Sequence, residues 1–416
     1  YQTLGTGKML HGTVTGLFEE YHGVNQRWSP FPKKDVPYKK SELPSKGTDN
    51  PRHVLQDSRG REVVLPINRM PSDRKPNSVA GESFDWGGFN VPDSDFGDTQ
   101  ITTWAIGKLK AGLEKKKPFF LGVGYYRPHI PLFAPQKYFE RFKQNPGQLP
   151  PVRRDDLKDI GPSGRKWAIE AVTAGSHATV LKHKQWRAAV EAYLACTTYV
   201  DHEIGRLLDT LDQSGAAANT WIVLWSDHGW HLGEGGLWAK YTNFEHATRV
   251  PLIIKAPWLA TKQHRHLQKL TKEEREKKSL DGITRADTFV ELVDVYPTLV
   301  ELAGLPMPPN LEGRSLLHTM KNPYDLGHRS VAASQFAHCC PWGLPDAEAH
   351  DAHRECGACE KLPTESITYM GYAVRNAQYR FVAWYRWDAE ETAPMCNGLM
   401  AVELYRHDGD NGRGGK

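Results

Sequence analysis

The sequence predicts an α/β protein: a mostly parallel sheet sandwiched by helices, followed by a smaller α+β subdomain. Two observations predict the core. Strand-sized apolar runs, Phe119–Gly124, Thr220–Trp225 and Val250–Ile254, alternate with helical patterns. The stretch Gln185–Ser214 repeats Trp186, Val190, Tyr193, Cys196 or Thr197, Val200, Ile204, Leu207 or Leu208, and Leu211 at helical spacing. A third observation predicts the subdomain. From about residue 329 the texture changes, and Met370–Val374 and Tyr379–Tyr385 alternate as an antiparallel hairpin would. The expected division is 1–328 for the core and 329–416 for the subdomain.

In chain order, residues 1–100 are rich in Gly, Pro, Trp and charge and show little periodicity, with Pro30, Pro32, Pro37 and Pro44 marking a loop region. Thr102–Lys116 reads as an amphipathic helix, with Trp104, Ile106, Leu109 and Leu113 near one face. Three lysines, 115 to 117, suit its dipole, and Pro118 stops it. Phe119–Gly124 is continuous in its apolar character, as a buried parallel strand is. Residues 134–185 read as irregular. Ser214-Gly215 ends the long helix. The run 262–278 is so charged that it reads as a solvated insertion. Thr288–Leu302 is a further helix that Pro297 should kink or break.

Lys plus Arg number 53 against 49 Asp plus Glu, so the chain is near charge balance and carries no basic stripe of a nucleic-acid binder. The longest apolar runs are strand-sized, so no transmembrane helix is expected. Five of the six cysteines, Cys339, Cys340, Cys356, Cys359 and Cys396, crowd the last fifth of the chain. That clustering reads as a disulfide patch of an oxidising compartment, a metal knot with His338, or reduced thiols.

Four patches carry chemistry. Asp227-His228-Gly229 sits at the carboxyl end of a strand, where ligands collect in open α/β sheets. A carboxylate beside an imidazole can fill two positions on one divalent cation, although a capped strand end with a surface His has the same sequence. His129 lies between Pro128 and Pro131 at another strand end, so its backbone is stiff and its imidazole aimed. Lys240 ends a Gly-rich loop that begins at Gly233, and Lys8 and His11 stand three apart beside two glycines. Singly, each Lys or His is an ordinary surface group. Together they suit hydrolysis of an ester of a tetrahedral oxyanion: cation and ammonium groups neutralise oxygens, and histidines move protons.

These residues lie in collinear stretches that resemble the sulfatase family of the alkaline-phosphatase-like superfamily, most closely its iduronate-2-sulfatase branch. The stretches are GKMLHG at 7–12, PFFLGVGYYRPHIPLFAPQKYFERF at 118–142 and YLACTTYVDHEIGRLLDTLDQSG at 193–215. They continue with TWIVLWSDHGWHLGEGGLWAKYTNFEHATRVPLII at 220–254, VELVDVYPTLVELAGL at 290–305 and YMGYAVRNAQYRFVAWYRW at 369–387. The resemblance implies a metal-dependent sulfatase acting on a sulfated sugar, with a 2-O-sulfated uronate such as iduronate 2-sulfate as the branch's substrate. It implies that Asp227 and His228 ligate Ca²⁺, that Lys8 and Lys240 clamp the sulfate, that His11 takes a proton from the nucleophile, and that His129 contacts a sulfate or leaving-group oxygen. Trp230 is a wall for a sugar ring or a core residue. A secreted, periplasmic or lysosomal setting goes with the family and with the clustered cysteines.

The family's nucleophile is a formylglycine made from the Cys or Ser of a Cys/Ser-x-Pro-x-Arg segment. No such segment occurs in this sequence; Cys340-Pro341-Trp342 and Ser29-Pro30-Phe31 do not fit it. In the family it precedes the Gly-Lys-x-x-His patch, so the expectation is a chain lacking its N-terminal part and, as it stands, inactive. Gly235 also stands where the branch often has a His, and no Asn-x-Ser/Thr sequon occurs. A phosphate- or phosphonate-ester hydrolase of the same superfamily, and a pseudoenzyme that binds sulfated glycans without cleaving them, are the alternative readings.

Overall fold

The computed structural model describes residues 1–10, 16–24, 26, 29–31, 39–40, 53–70, 84–114, 117–152, 157–158, 160–161, 165, 177–257, 279–280, 283–338, 365 and 367–407. The charged run at 262–278 and the cysteines at 339, 340, 356 and 359 lie outside the described residues. The chain forms two compact units. The first comprises Tyr1–Val152, Thr173–Ala218 and Gly236–Trp238; the second comprises Arg153–Val172, Asn219–Gly235 and Ala239–Lys416.

The first unit holds parallel pairings beside an antiparallel sheet of Lys39–Lys40, His53–Gln56 and Glu62–Leu65. The strand Gln2–Gly7 lies between Glu20–His22 and Phe119–Gly124, parallel to both. Its register places Gly7 opposite Gly124, so the two strands end together. A second parallel pair joins Trp86–Phe89 to Leu132–Pro135. The helix Gly97–Glu114 starts five residues before the predicted Thr102. Asp98 stands in its first turn, where a carboxylate favours the dipole, and Gly97 N–H donates to the Pro30 carbonyl at 3.0 Å. Its buried stripe is Ile101, Ala105 and Leu109, one residue per turn, with Trp104 and Ile106 only half-buried.

The long helix Trp186–Gln213 falls where predicted. Its buried face is more Ala-rich than the large apolar residues suggested, with Ala189, Ala192 and Ala195 beside Val190, Cys196 and Tyr199. Gly215 follows at φ +73° and its N–H returns to the Asp212 carbonyl, a left-handed helix stop that suits glycine. Among its described residues, the segment read as irregular holds the helices Gln136–Gln144 and His177–Lys182. The core gathers Phe96 against Tyr199 (ring centroids 5.7 Å) and Phe89 against Phe133 (5.3 Å). Each such fully buried side chain contributes about 2 kcal/mol of apolar burial.

In the second unit the strand Ile222–Trp225 pairs antiparallel with Leu252–Lys255 rather than parallel. The connection between them holds only the one-turn helix Glu245–Thr248 among its α-helices. A parallel return needs a crossover, most often a longer helix. The helix predicted from Thr288 runs only over Val295–Leu302, after a 3₁₀ turn at Leu292–Asp294. Pro297 is its third residue and neither kinks nor breaks it, because first-turn N–H groups have no intrahelical acceptor to lose.

The C-terminal sheet is antiparallel and runs in chain order: Ala332–His338, Tyr369–Arg375, Tyr379–Asp388 and Ala393–Arg406. The turn of its central hairpin is fixed by Asn376, whose Oδ1 accepts from the backbone N–H groups of Gln378 and Tyr379. Tyr369, Ala373, Val382 and Trp384 form its core, and Phe244, Phe336 and Tyr405 pack on it.

Candidate active site

In the first unit, Lys8 and His129 follow the carboxyl ends of neighbouring parallel strands, the edge at which ligands bind in such sheets. Lys8 comes one residue after Gly7, and its N–H donates to the Gly124 carbonyl at 2.8 Å. Gly7 adopts φ +74°, and a Cβ there would stand 2.1 Å from the Gly124 oxygen. A Cβ on Gly124 would stand 2.0 Å from the Lys8 oxygen. The close crossing that presents Lys8 therefore needs both glycines. His11 lies outside the described residues.

His129 sits in the loop after Phe119–Gly124, between two cis X-Pro bonds, Arg127-Pro128 and Ile130-Pro131. Its N–H donates to the Tyr126 carbonyl at 2.9 Å, and its Nδ1 lies 2.6 Å from the Ile130 carbonyl oxygen. The loop is held from below by Asp98, which is fully buried. One Asp98 oxygen accepts from Tyr126 N–H at 2.9 Å and from Gln26 Nε2, and the other accepts from Arg127 N–H at 3.2 Å. Burial pushes this carboxyl above its ordinary range, while the Arg127 guanidinium and the backbone donors pull against burial. Arg127 then reaches forward: Nη1 donates to the His129 carbonyl at 3.1 Å and Nε to the Phe133 carbonyl at 3.0 Å. Neither Asp98 nor Arg127 was singled out from the sequence. A helix-start Asp and an Arg beside a Pro carry no local signal of a joint role.

The second unit brings Asp227, His228, Trp230 and Lys240 together. The Lys240 Nζ lies 2.8 Å from Nε2 of His228, and that nitrogen lies 3.5 Å from Oδ2 of Asp227. Nδ1 of His228 lies 2.8 Å from the Gly229 carbonyl oxygen. An ammonium can only donate, so Nε2 accepts, and the ring proton is on Nδ1 and points at the Gly229 carbonyl. Ser226 Oγ donates to the His228 carbonyl at 2.6 Å. The Asp227 side chain is 64% exposed and so open to a ligand. The Trp230 ring lies 6.2 Å from the His228 ring, and Lys240 Nζ lies 5.7 Å from the Tyr241 ring centroid. Gly229 is required by contact: a Cβ there would stand 1.9 Å from the His246 oxygen.

An exposed carboxylate oxygen beside an imidazole nitrogen whose other nitrogen is tied to a carbonyl is a donor set that fits part of a divalent-cation shell. Ca²⁺ takes six to eight oxygens, so these two residues supply a fraction of it. Among the described residues a different group, Asp93, His202 and Glu203 in the first unit, brings one ligand atom each within 4.8 Å of the others. Its carboxylates already carry cations: Lys137 lies 2.5 Å from Asp93 and Arg206 lies 2.6 Å from Glu203.

The fold matches solved structures over most of the chain. A phosphonate monoester hydrolase from Silicibacter pomeroyi superposes at TM-score 0.56 and 21% identity, over 82% of this chain and 60% of that one. A protein solved in complex with its substrate D-glucosamine-2-N,6-O-disulfate gives TM-score 0.57 and 19% identity, over 99% of this chain and 74% of that one. The protein thus has the alkaline-phosphatase-like α/β fold. Residues 68–305 match the profile of the family described as Sulfatase, and the chain belongs to that family. A sulfatase of Formosa agariphila is 33% identical over 77% of this chain. Iduronate 2-sulfatase of Mus musculus is 28% identical over 99% of it. The chain spans 53% of the length of the first of these relatives and 73% of the second. Among the described residues, no helix is long and apolar enough to cross a membrane.

Proposed function

We propose that this chain belongs to a metal-dependent sulfuric-ester hydrolase that removes sulfate from a sulfated sugar, in particular a 2-O-sulfated uronate such as iduronate 2-sulfate. One observation carries the reading: the Lys240 ammonium, the His228 imidazole and the Asp227 carboxylate are grouped within 3.5 Å contacts on one loop pair. An ammonium on a tied imidazole is placed to neutralise an entering ester oxygen. Asp227 and His228 would hold a divalent cation, Ca²⁺ by family resemblance, which when bound supplies Lewis-acid stabilisation of an anionic ester. The family resemblance assigns Lys240 and Lys8 to the sulfate, His129 and His11 to oxygen contacts and proton transfer, and Trp230 to the sugar. The relative of Mus musculus that aligns along 99% of the chain supports the choice of substrate class.

The nucleophile is not carried by these 416 residues, because no Cys/Ser-x-Pro-x-Arg occurs in them. Residues 1–416 alone therefore hydrolyse no sulfate ester above background. Residues 329–416, where the antiparallel sheet begins at Ala332, form the smaller subdomain of this reading. A secreted, periplasmic or lysosomal location accompanies it. The test compares sulfate and phosphate monoesters as substrates of the complete gene product. Turnover of sulfate esters over phosphate esters is expected. Preference for phosphate or phosphonate esters, or glycan binding without turnover, would replace the reading, and metal-dependent turnover by residues 1–416 would refute the placement of the nucleophile.

A further inference from the structure

We infer that Glu245, gripped by Arg375 and Arg380, is an anchor that positions the His228–Lys240 pair. The inference rests on reading that pair as the anion-gripping group, but its test reads the pair's geometry directly, so the two fail separately.

Both halves of the pair hang on the helix Glu245–Thr248. On one side Gly229, the residue after His228, donates its N–H to the Ala247 carbonyl at 2.7 Å. The loop there lies flat on the helix, without room for a Cβ. On the other side Lys240 leads into the helix through two tight turns. Thr242 N–H donates to the Lys240 carbonyl at 2.8 Å, and Phe244 N–H donates to Thr242 Oγ1 at 2.8 Å. A helix of one turn has no stability of its own, so its place must be set from outside.

The C-terminal sheet sets it. Glu245 is 7% exposed. Its Oε2 accepts from Arg375 Nε at 3.0 Å and from Arg380 Nη2. Arg380 also donates through Nη1 to the Asn243 carbonyl, and Asn243 Nδ2 donates to the Gly371 carbonyl at 3.0 Å. Phe244 packs on the sheet core and meets Tyr405 edge-on at 5.7 Å. Burial disfavours the ionised Glu245, yet Arg380 and Arg375 outweigh it and hold the carboxyl below its ordinary range.

The sheet also explains why a carboxylate is needed there. Arg375 and Arg380 are direct cross-strand partners on Tyr369–Arg375 and Tyr379–Asp388. Like charges directly opposite destabilise a sheet, and Glu245 is the counter-charge that makes this pair favourable. Docking the 243–248 segment and satisfying the hairpin are therefore one event.

The test uses the 416-residue chain labelled with ¹³C-histidine. The His228 Cε1–Hε1 cross-peak is assigned by its loss in His228→Gln. In Arg375→Gln, which leaves Arg380 on Glu245, the His228 cross-peak should move by more than its linewidth, and Arg375→Lys should return it toward its original position. Asn243→Ala, which removes a neutral tie, should move the same peak and gives the same readout if Arg375→Gln does not fold. An unmoved His228 peak in a folded variant overturns the anchor. If the complete gene product hydrolyses no sulfate ester while the peak moves, the proposed function fails and the anchor stands.

Discussion

Nε2 of His228 accepts from the Lys240 ammonium across 2.8 Å, so the nitrogen that would ligate a cation is already engaged by a positive charge. Ammonium and cation compete for one lone pair. Replacing Lys240 by Met should therefore tighten Ca²⁺ binding to this chain by about tenfold, since removing a like charge at close range is worth at least 1.4 kcal/mol. Asp227→Asn should weaken it by a similar factor or more. Calorimetric titration with CaCl₂ checks both, and unchanged affinity in both variants would remove the cation from these residues.

Asp98 carries the His129 loop through the N–H groups of Tyr126 and Arg127. Asp98→Ala leaves both donors and the Gln26 amide buried without that acceptor, a loss of about 3 kcal/mol. Urea unfolding should show it as a lower midpoint at unchanged slope.

Asp294 is fully buried, accepts from the backbone N–H groups of Glu291 (2.9 Å) and Arg314 (2.7 Å), and pairs with Arg329 at 2.6 Å. Burial raises its pKa, but these donors, led by Arg329, outweigh burial and lower it from 3.8 to about 2. A folded pKa below the unfolded one stabilises above the unfolded value and is lost as pH falls through the folded value. The second unit should thus lose stability between about pH 4 and pH 2, with a term on the order of 2 kcal/mol at neutral pH. Asp294→Asn should abolish that dependence, which thermal melts across the window would reveal.

His231 is buried beside His246, with ring centroids 5.3 Å apart. Burial, then the neighbouring His246, lowers its pKa from 6.5 to about 3. The folded form stays neutral while the unfolded form takes up a proton below 6.5. Stability is therefore complete above that pH and declines on acidification toward 3, beginning above the Asp294 window and overlapping it only below about pH 4, with a slope approaching about 1.4 kcal/mol per pH unit. His231→Gln should flatten the curve between pH 6.5 and 4.

Elements with strong periodicity or unbroken apolar runs were legible: the long helix, Phe119–Gly124 and the C-terminal hairpin all fall where patterning puts them. Gln2–Gly7 was not, because its glycines and threonines carry little apolar signal, although Thr6 and Leu4 are buried. The antiparallel direction of the Ile222–Trp225 pairing was not legible either, since an apolar run does not encode which way its partner runs. At the site, Asp227, His228 and Lys240 could be named from residue type and loop context. Asp98, Glu245, Arg375 and Arg380 could not, because their partners are distant in the chain, and Arg127 could not, because its acceptors are backbone carbonyls that carry no residue-type signal.

The most direct test of the sulfate-gripping role proposed for Lys240 is calorimetric titration of this chain, in CaCl₂, with a heparin-derived disaccharide bearing a 2-O-sulfated uronate. Wild-type chain should bind it, and Lys240→Ala should weaken binding at least about tenfold, the loss of one charge-assisted contact. Equal affinity in the two proteins, or equal affinity for the desulfated disaccharide, would contradict the account.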